Sequence, residues 1–502
     1  MAVETELKLS LPAAALPRLR RHRLLAGVKP QRQHLENTYY DTADLALTQA
    51  RVAVRHRRTA WGWLLTVKST EPSAGGLAQR NEWEAPSQPG AFDFSHVDRK
   101  ALRKTLEKLT PRLLAVFSTD FLRTTWVLTP SPGTRIEVAL DRGCVRCGER
   151  EDAICELELE LIESPVDGVA KPLFDLALAL QEDLPLQPAV ASKAERGFRL
   201  FMQQVPTPVR AGKTPITEKL SPEQAFSRIA MDCIEQLQRN EAGARAGDDP
   251  EFVHQARIAI RRLRSALNLW APVLPADFLA RYRADWKVLA QRLGDARNRD
   301  VFVTETLPPL CEGFPTHPVL QRLARQADRQ REKTQREVRA AFECPGFHRL
   351  VLGFTAAVHE LPVTPLPASL PDFANRRMRR FAREVERRAA ATRSDPQAHH
   401  ALRIAFKRLR YALEFLAPLY PAKALRRYLN AATELQELLG AMNDIAVAEA
   451  IMAEQPRLGS DALIRGWFGG RSELLLTQLP HALKIFLAAR PPWQEKGGKQ
   501  RK

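Results

Sequence analysis

The stretch Val3-Glu4-Thr5-Glu6-Leu7-Lys8-Leu9-Ser10 sets a charge on every second residue for three positions. A strand points successive side chains to opposite faces. Glu4, Glu6 and Lys8 therefore share one face, and Val3, Thr5, Leu7 and Leu9 share the other. Alone, such a strand reads as an edge strand with a wet face. The fold turns on whether other strands repeat it.

They do. In ICELELELI (154–162), Glu156, Glu158 and Glu160 oppose Leu157, Leu159 and Leu161. In VAVRHRR (52–58), Arg55 and Arg57 oppose Val52 and Val54. LTVK adds Lys68, and QRNEWE adds Arg80, Glu82 and Glu84 at one parity. Arg123, Asp141 and Lys193 are further charges in or beside predicted elements. Short β-branched or aromatic runs recur up to about residue 163, with helical stretches near 11–25, 98–109 and 170–181. This pattern predicts an α+β domain whose antiparallel sheet closes into a barrel. If the aliphatic faces pack under helices, the charged faces line the lumen. Buried charges need partners or a ligand. Carboxylates at period two can converge on Mg²⁺ or Mn²⁺, which prefer oxygen ligands. Arg and Lys in the same lumen suit phosphate oxygens. Both signs together point to a metal–oligophosphate complex; a polar sheet face with cross-strand ion pairs is the plainer alternative.

Hydrophobic content of 44% and charged content of 27% are ordinary for a globular chain, but a net charge of +18 is not. Residues 1–205 hold 28 Lys/Arg against 26 Asp/Glu, whereas 206–502 hold 48 against 32. The excess belongs to the second half, which implies a polyanionic partner there. With no apolar leader, no 18-residue apolar run and six cysteines, the expectation is a cytoplasmic protein with neither membrane span nor disulfide framework. The lone pair Cys144 and Cys147 fits a turn between strands better than a zinc site.

Residues 203–224 carry four prolines and read as a linker. Ser221-Pro222-Glu223-Gln224 then looks like an N-cap, a proline at the first helical position and a capping-box partner. The remainder is helical in spacing, and a Pro-rich gap at 360–373 splits it. The two parts repeat: HQARIAIRRLRSAL begins at His254 and HALRIAFKRLRYAL at His400, an offset that also carries Leu293-Gly294 onto Leu439-Gly440 and Asn298 onto Asp444. At about 100° per residue, His254, Arg257, Arg261 and Arg264 form one stripe, repeated by His400, Arg403, Lys407 and Arg410. Such stripes repel themselves unless an anion is shared. His254 should contribute to binding, and more at pH 6 than at pH 8 if the imidazolium is the binding form. The basic helices lack interleaved aromatics, which disfavours nucleic acid.

Glu4-x-Glu6-x-Lys8 resembles the signature of the CYTH domain, the triphosphate tunnel metalloenzymes. The likeness extends through YYDT, VRHR, TVK, QRNE, FSTDFLRTTW, IEVALD, ICELELEL and ASKAERG, and is nearest to the bacterial inorganic triphosphatases. It implies an eight-stranded antiparallel barrel with a tunnel for triphosphate and Mg²⁺ or Mn²⁺. It further implies Glu4, Glu6, Glu158 and Glu160 as metal ligands. Lys8, Arg55, Arg57, Lys68, Arg80, Arg123 and Lys193 would hold phosphate. Glu82, Asp141 and Glu156 are implied to serve a second metal or the attacking water, whereas Glu84 has no match in the family pattern. The helical half resembles the CHAD domain: two bundles related by a pseudo-two-fold axis, with a basic cleft for polyphosphate.

The resulting expectation is a tunnel domain at 1–203, a linker at 204–220 and a helical domain at 221–488, with halves at about 221–345 and 370–488. A disordered basic tail would follow at 489–502. The expected reaction is metal-dependent hydrolysis of tripolyphosphate to diphosphate and phosphate, with the fragment 1–205 sufficient for it. A location at polyphosphate granules follows from the same likeness. Nucleoside or thiamine triphosphate hydrolysis, cyclase chemistry and a non-catalytic polyphosphate binder are the alternatives.

Overall fold

The computed structural model describes residues 2–69, 74–165, 170–213, 216–247, 249–362, 369–391, 396–454 and 462–494. The chain forms two compact units. One is Met1–Thr207 with Cys344–Glu360, and the other is Pro208–Glu343 with Leu361–Lys502.

In the first unit, eight strands are β1 (Ala2–Ser10), β2 (Gln31–Asp41), β3 (Val52–Thr59), β4 (Gly62–Ser69), β5 (Leu77–Ser87), β6 (Leu114–Ser131), β7 (Thr134–Cys147) and β8 (Arg150–Glu163). They run in the order β5-β4-β3-β2-β6-β7-β8-β1, and β1 pairs back onto β5. Every pairing is antiparallel, so the sheet closes into the expected barrel. Closure removes the edges that one charged strand would otherwise expose. Cys144 and Cys147 are unpaired thiols in the last residues of β7, just before the turn at Gly148.

The alternation sorts as its chemistry requires. Leu7, Leu9, Leu157, Leu159, Val138 and Leu140 point outward and are buried under α2 (Lys171–Leu180), with Leu173, Phe174 and Ala177. Val52, Val54, Leu65, Val67 and Trp83 are covered by Phe94, Val97 and Leu106, the last on α1 (Lys100–Leu109). Inside, α3 (Lys193–Phe201) sets Ala194 and Phe198 against Tyr39, Phe117 and Phe121. A Ser192–Glu195 capping box fixes where α3 begins. Gly197 permits the close approach, since a Cβ there would fall 2.1 Å from the Phe117 ring.

A covering element comes from far along the chain. The helix Pro345–His359, which the sequence places in the helical domain, buries Leu352 and Ala356 in the same cluster as Leu7, Leu9 and Phe174. His359 stacks on Phe174, and Lys171 pairs with Glu360 at 3.1 Å. Gly75, at φ +63, leaves no room for a Cβ beside Thr355 of this helix.

The second unit is all helical. Its first half holds α4 (Pro222–Ala246), α5 (Pro250–Leu269), α6 (Ala276–Val301) and α7 (Pro318–Glu343). Numbering the covering helix Pro345–His359 as α8, its second half holds α9 (Leu370–Ala390), α10 (Pro396–Leu416), α11 (Ala422–Ala453) and α12 (Ala462–Ala488). The capping box at Ser221, with Pro222 at the first position, forms as predicted. Two boundary expectations change. In the predicted linker, Val209 exchanges backbone hydrogen bonds with the Asn240 side chain and Ile216 is buried, so this stretch is fastened to the helices. In the predicted tail, Pro492–Gln494 forms a 3-10 turn, and Trp493 packs on Tyr420 and Tyr428. Residues 495–502 of that tail, and 363–368 of the Pro-rich gap, lie outside the described residues.

Candidate functional site

The barrel encloses a cavity of about 300 Å³. The register explains how charges from distant segments meet there. Glu4 faces Arg80 across β1–β5, and Lys68 faces Glu82 across β4–β5. Glu6 faces Glu160, and Lys8 faces Glu158, across β1–β8. Arg123 faces Asp141 across β6–β7. Glu4, Glu6, Lys8, Arg55, Arg57, Lys68, Arg80, Glu82, Arg123, Glu158, Glu160 and Lys193 all line the cavity, as does Glu84.

Most of these charges are paired. Lys68 Nζ lies 2.9 Å from Glu4 and 2.8 Å from Glu82. Arg80 pairs with Glu6 and lies 3.7 Å from Glu4. Glu158 meets Lys8 at 3.3 Å, Lys193 at 3.0 Å and Arg123 at 2.5 Å. Burial opposes the Glu158 charge, but these three cations hold its carboxyl well below the usual range. Lys68 and Arg80 outweigh burial at Glu4 and hold it at about 2.

Asp141 and Glu156 occupy a different place from the one expected of residues that meet water or a second metal. Neither lines the cavity, and both are almost wholly buried. Asp141 accepts two 2.7 Å hydrogen bonds from Arg123 and lies 2.6 Å from Lys193; Glu156 accepts from Lys193 at 2.5 Å. Asp141, Glu156 and Glu158 offer oxygens close enough together for a cation, but Lys193 Nζ already contacts all three. Asp141 thus pairs with both Arg123 and Lys193, and Glu156 with Lys193 and Arg196.

Two acids break the pattern. Among the described residues, Glu160 and Glu137 have no cation within ion-pair distance. They face each other across β7–β8, and both line the cavity. Burial, reinforced by Glu4, pushes Glu160 up to about 7, and burial also raises Glu137. Sequence reasoning missed Glu137, although IEVALD places it at the same parity as Asp141. At another point of the lumen the surplus is positive. Burial and the neighbours Arg55 and Arg123 press Arg57 down to about 10. The lumen thus holds an acidic spot without a cation in ion-pair distance and, at Arg57, a cation whose nearest carboxylate, Glu84, stands at 4.0 Å. Glu137 and Glu160 are half-buried and short of positive charge, and Glu4, already paired with Lys68, lies near enough to reinforce the rise at Glu160; together they offer oxygen ligands of the kind a hard divalent cation takes.

The helical unit gathers only part of its two stripes. Burial and like-charged neighbours, Arg261 among them, depress the charges of Arg257, Arg403 and Lys407. Burial and these arginines press Lys407 down to about 7, and Arg257 to about 10. Arg261 lies 5.1 Å over the Tyr411 ring. Arg297, which sequence reasoning missed inside RLGDARNRDV, joins them. His254 belongs to the group, but burial and Arg297 push it down to about 4, so it is neutral at physiological pH instead of an imidazolium. Burial alone depresses Arg264, His400 is exposed, and Arg410 lies 4.9 Å over the Tyr411 ring that Arg261 also meets. No described carboxylate stands within ion-pair distance of Arg257, Arg261, Arg403 or Lys407; Asp444 is the nearest compensation for Arg403.

Comparison with known proteins follows the same division. The model of the CYTH domain family matches residues 2–198, and that of the CHAD domain family matches residues 228–453. An inorganic triphosphatase of Haemophilus influenzae is 33% identical over 174 residues, 35% of this chain and 48% of that protein. The chain thus spans about half the length of that curated relative. The crystal structure of the CHAD domain from the plant Ricinus communis is 30% identical, with a TM-score of 0.48, covering 57% of this chain and 98% of that one. A putative adenylyl cyclase from Hippeastrum, described as revealing a dominant triphosphatase activity, is 20% identical with a TM-score of 0.29, covering 40% of this chain and 95% of that one. No described helix is long and apolar enough to cross a membrane.

Proposed function

The chain belongs to the CYTH family over its barrel and to the CHAD family over its helices, and from that premise we propose that it is a metal-dependent inorganic triphosphatase joined to a polyphosphate-binding module. The observation that carries the first half is the uneven charge of one lumen: among the described residues Glu137 and Glu160 have no cation within ion-pair distance, whereas Arg57, 4.0 Å from Glu84, is pressed by Arg55 and Arg123. A triphosphate with a divalent cation supplies both missing signs.

Glu4, Glu137 and Glu160 would hold Mg²⁺ or Mn²⁺, with Glu6 beside them. Glu158 already accepts from three cations, so it joins the ligand set only where substrate draws those cations away. The bound ion would lower the pKa of a water and neutralise phosphate oxygens. Lys8, Arg55, Arg57, Lys68, Arg80, Arg123 and Lys193 line the same cavity and stabilise charge on the transferred phosphoryl and its leaving group. Asp141 and Glu156 orient Lys193 and Arg123 without touching substrate. Glu82 sits between Lys68 and Arg55, where it can exchange those cations with a phosphate. The reaction needs no protein nucleophile and yields diphosphate and phosphate.

The second half rests on the cations around Arg257, Arg261, Arg403 and Lys407, which lack carboxylate partners. A flexible polyphosphate chain reaches such a group, and arginine forks onto its oxygens. The deciding experiment is phosphate release from tripolyphosphate, ATP and long polyphosphate, each with Mg²⁺, Mn²⁺ or EDTA. Metal-dependent release restricted to tripolyphosphate is expected; preference for ATP, or no release with any metal, overturns the proposal.

A further inference from the structure

The repeat in the helical unit is broken around Arg262, and the break changes charge. In the first copy Arg262 of α5 is 1% exposed and neutralised. Its guanidinium meets Asp232 of α4 at 3.0 Å and Glu414 of α10 at 3.0 Å, and donates to Gln236 at 2.9 Å. The 146-residue offset carries Arg262 onto Arg408, and carries Asn268 onto Glu414. Helices α4 and α9 align through their serine N-caps, Ser221 and Ser369, and the apolar pattern follows this register. Asp232 then corresponds to Arg380, and Gln236 to Glu384. Both acids that neutralise Arg262 are therefore replaced, one by an arginine and one by an amide.

What stands there instead is a pocket of about 470 Å³ that includes Arg283, Arg377, Arg380 and Arg408, with Phe381 in its wall. Glu384, its one carboxylate, is already bound by Arg387 and Arg388. Arg377 is only 9% exposed; it spends one Nη on the Asn268 carbonyl at 2.9 Å and leaves its buried Nε without a partner. Its guanidinium lies 5.0 Å over the Phe381 ring. Arg380 and Arg408 are exposed, and neither has a carboxylate partner among the described residues. Burial and Arg380 depress the Arg377 charge. The pocket lies off the basic stripe, because Arg408 projects from a different side of α10 than Arg403 and Lys407.

We propose that this pocket is a separate anion site that takes a short inorganic phosphate chain, diphosphate or triphosphate. Four guanidinium groups against one engaged carboxylate call for an anion of several charges, and guanidinium forks match tetrahedral phosphate oxygens. The first copy needs no such ligand because Asp232 and Glu414 supply the charge from within.

The test is equilibrium dialysis of radiolabelled diphosphate against the full chain in EDTA at fixed ionic strength. Arg380→Asp with Asn268→Glu rebuilds the acids of the first copy and is expected to remove one bound equivalent while tripolyphosphate hydrolysis is unchanged. Arg408→Gln, at an exposed position, is expected to weaken that equivalent at least tenfold without disturbing the fold. Arg257→Ala with Arg403→Ala should leave it in place, which separates this site from the polyphosphate cleft. An unchanged count in both the double variant and Arg408→Gln overturns the proposal, as does equal displacement of the bound diphosphate by malonate.

Discussion

The barrel lumen and the cation group around Arg257 and Lys407 both shield cations from solvent, but they compensate them in opposite ways. In the lumen four of the seven lining cations, Lys8, Lys68, Arg80 and Arg123, face a carboxylate across a strand. In the cleft Arg257, Arg261 and Lys407 face one another. The difference teaches what each region is built to accept. An internally neutralised lumen with small residual charges of both signs suits a ligand that carries both signs, a metal with its phosphate. A cleft of one sign suits a polyanion alone.

The largest effect should come from removing an acid proposed to hold the metal. Glu160→Gln, or Glu4→Gln, is expected to lower metal-dependent triphosphatase turnover by roughly two or more orders of magnitude, since Lewis-acid stabilisation of several kcal/mol is lost. Circular dichroism should show an intact barrel. Near-normal turnover at saturating metal would mean that the lumen's acids are there for pairing only.

The next effect concerns what holds the lumen in shape. Leu352, wholly buried against the barrel's apolar face, should cost about 2–5 kcal/mol when changed to Ala, read as a loss of thermal stability in the barrel unit. By the same reasoning the fragment 1–205, expected from sequence to suffice, lacks a covering helix and should be less stable than the full chain. A thermal midpoint for Leu352→Ala equal to that of the parent chain would show that α8 is dispensable.

In the cleft, Arg257→Ala and Arg403→Ala should each weaken polyphosphate binding by roughly 1–3 kcal/mol as a charge-assisted contact is lost. Calorimetric titration should show the loss growing smaller as salt rises, by analogy with counterion release. Affinity indifferent to both changes would reduce the cleft to a generic basic surface.

The smallest expected effect is a pH dependence, and its sign follows from Lys407. Its ammonium is pressed down to about 7 by burial and by Arg403, Arg261 and Arg257, whereas a bound phosphate would restore it toward its usual value. Binding therefore takes up a proton above pH 7, and affinity should fall by roughly tenfold at most between pH 6 and pH 8. Lys407→Arg should flatten that profile. A profile that instead follows His254→Ala would put the switch on the imidazole.

Much of this was legible in the chain. Period-two alternation decided which residues of β1, β3 and β8 face inward, because a strand has only two faces. It did so for Glu137 as well, where the parity was present and unread. The repeat offset likewise disclosed the paired helices α5 and α10. What parity cannot say is who stands beside whom. Asp141 and Glu156 share the inward face with Glu158, yet Lys193, from a helix over thirty residues further on, meets all three and makes two of them positioning groups.

By itself, then, the sequence determined the barrel's inside and outside, the location of the positive charge and the duplication of the helices, all of which depend on local period and composition. Only the tertiary structure decided the ionisation states and the neighbours. His254 became neutral because burial and Arg297 meet it there; α8 joined the barrel because its apolar face found Leu7 and Phe174; and Arg408 lost the acids that Arg262 keeps. These depend on burial and on contacts across more than a hundred residues, and no local pattern encodes either.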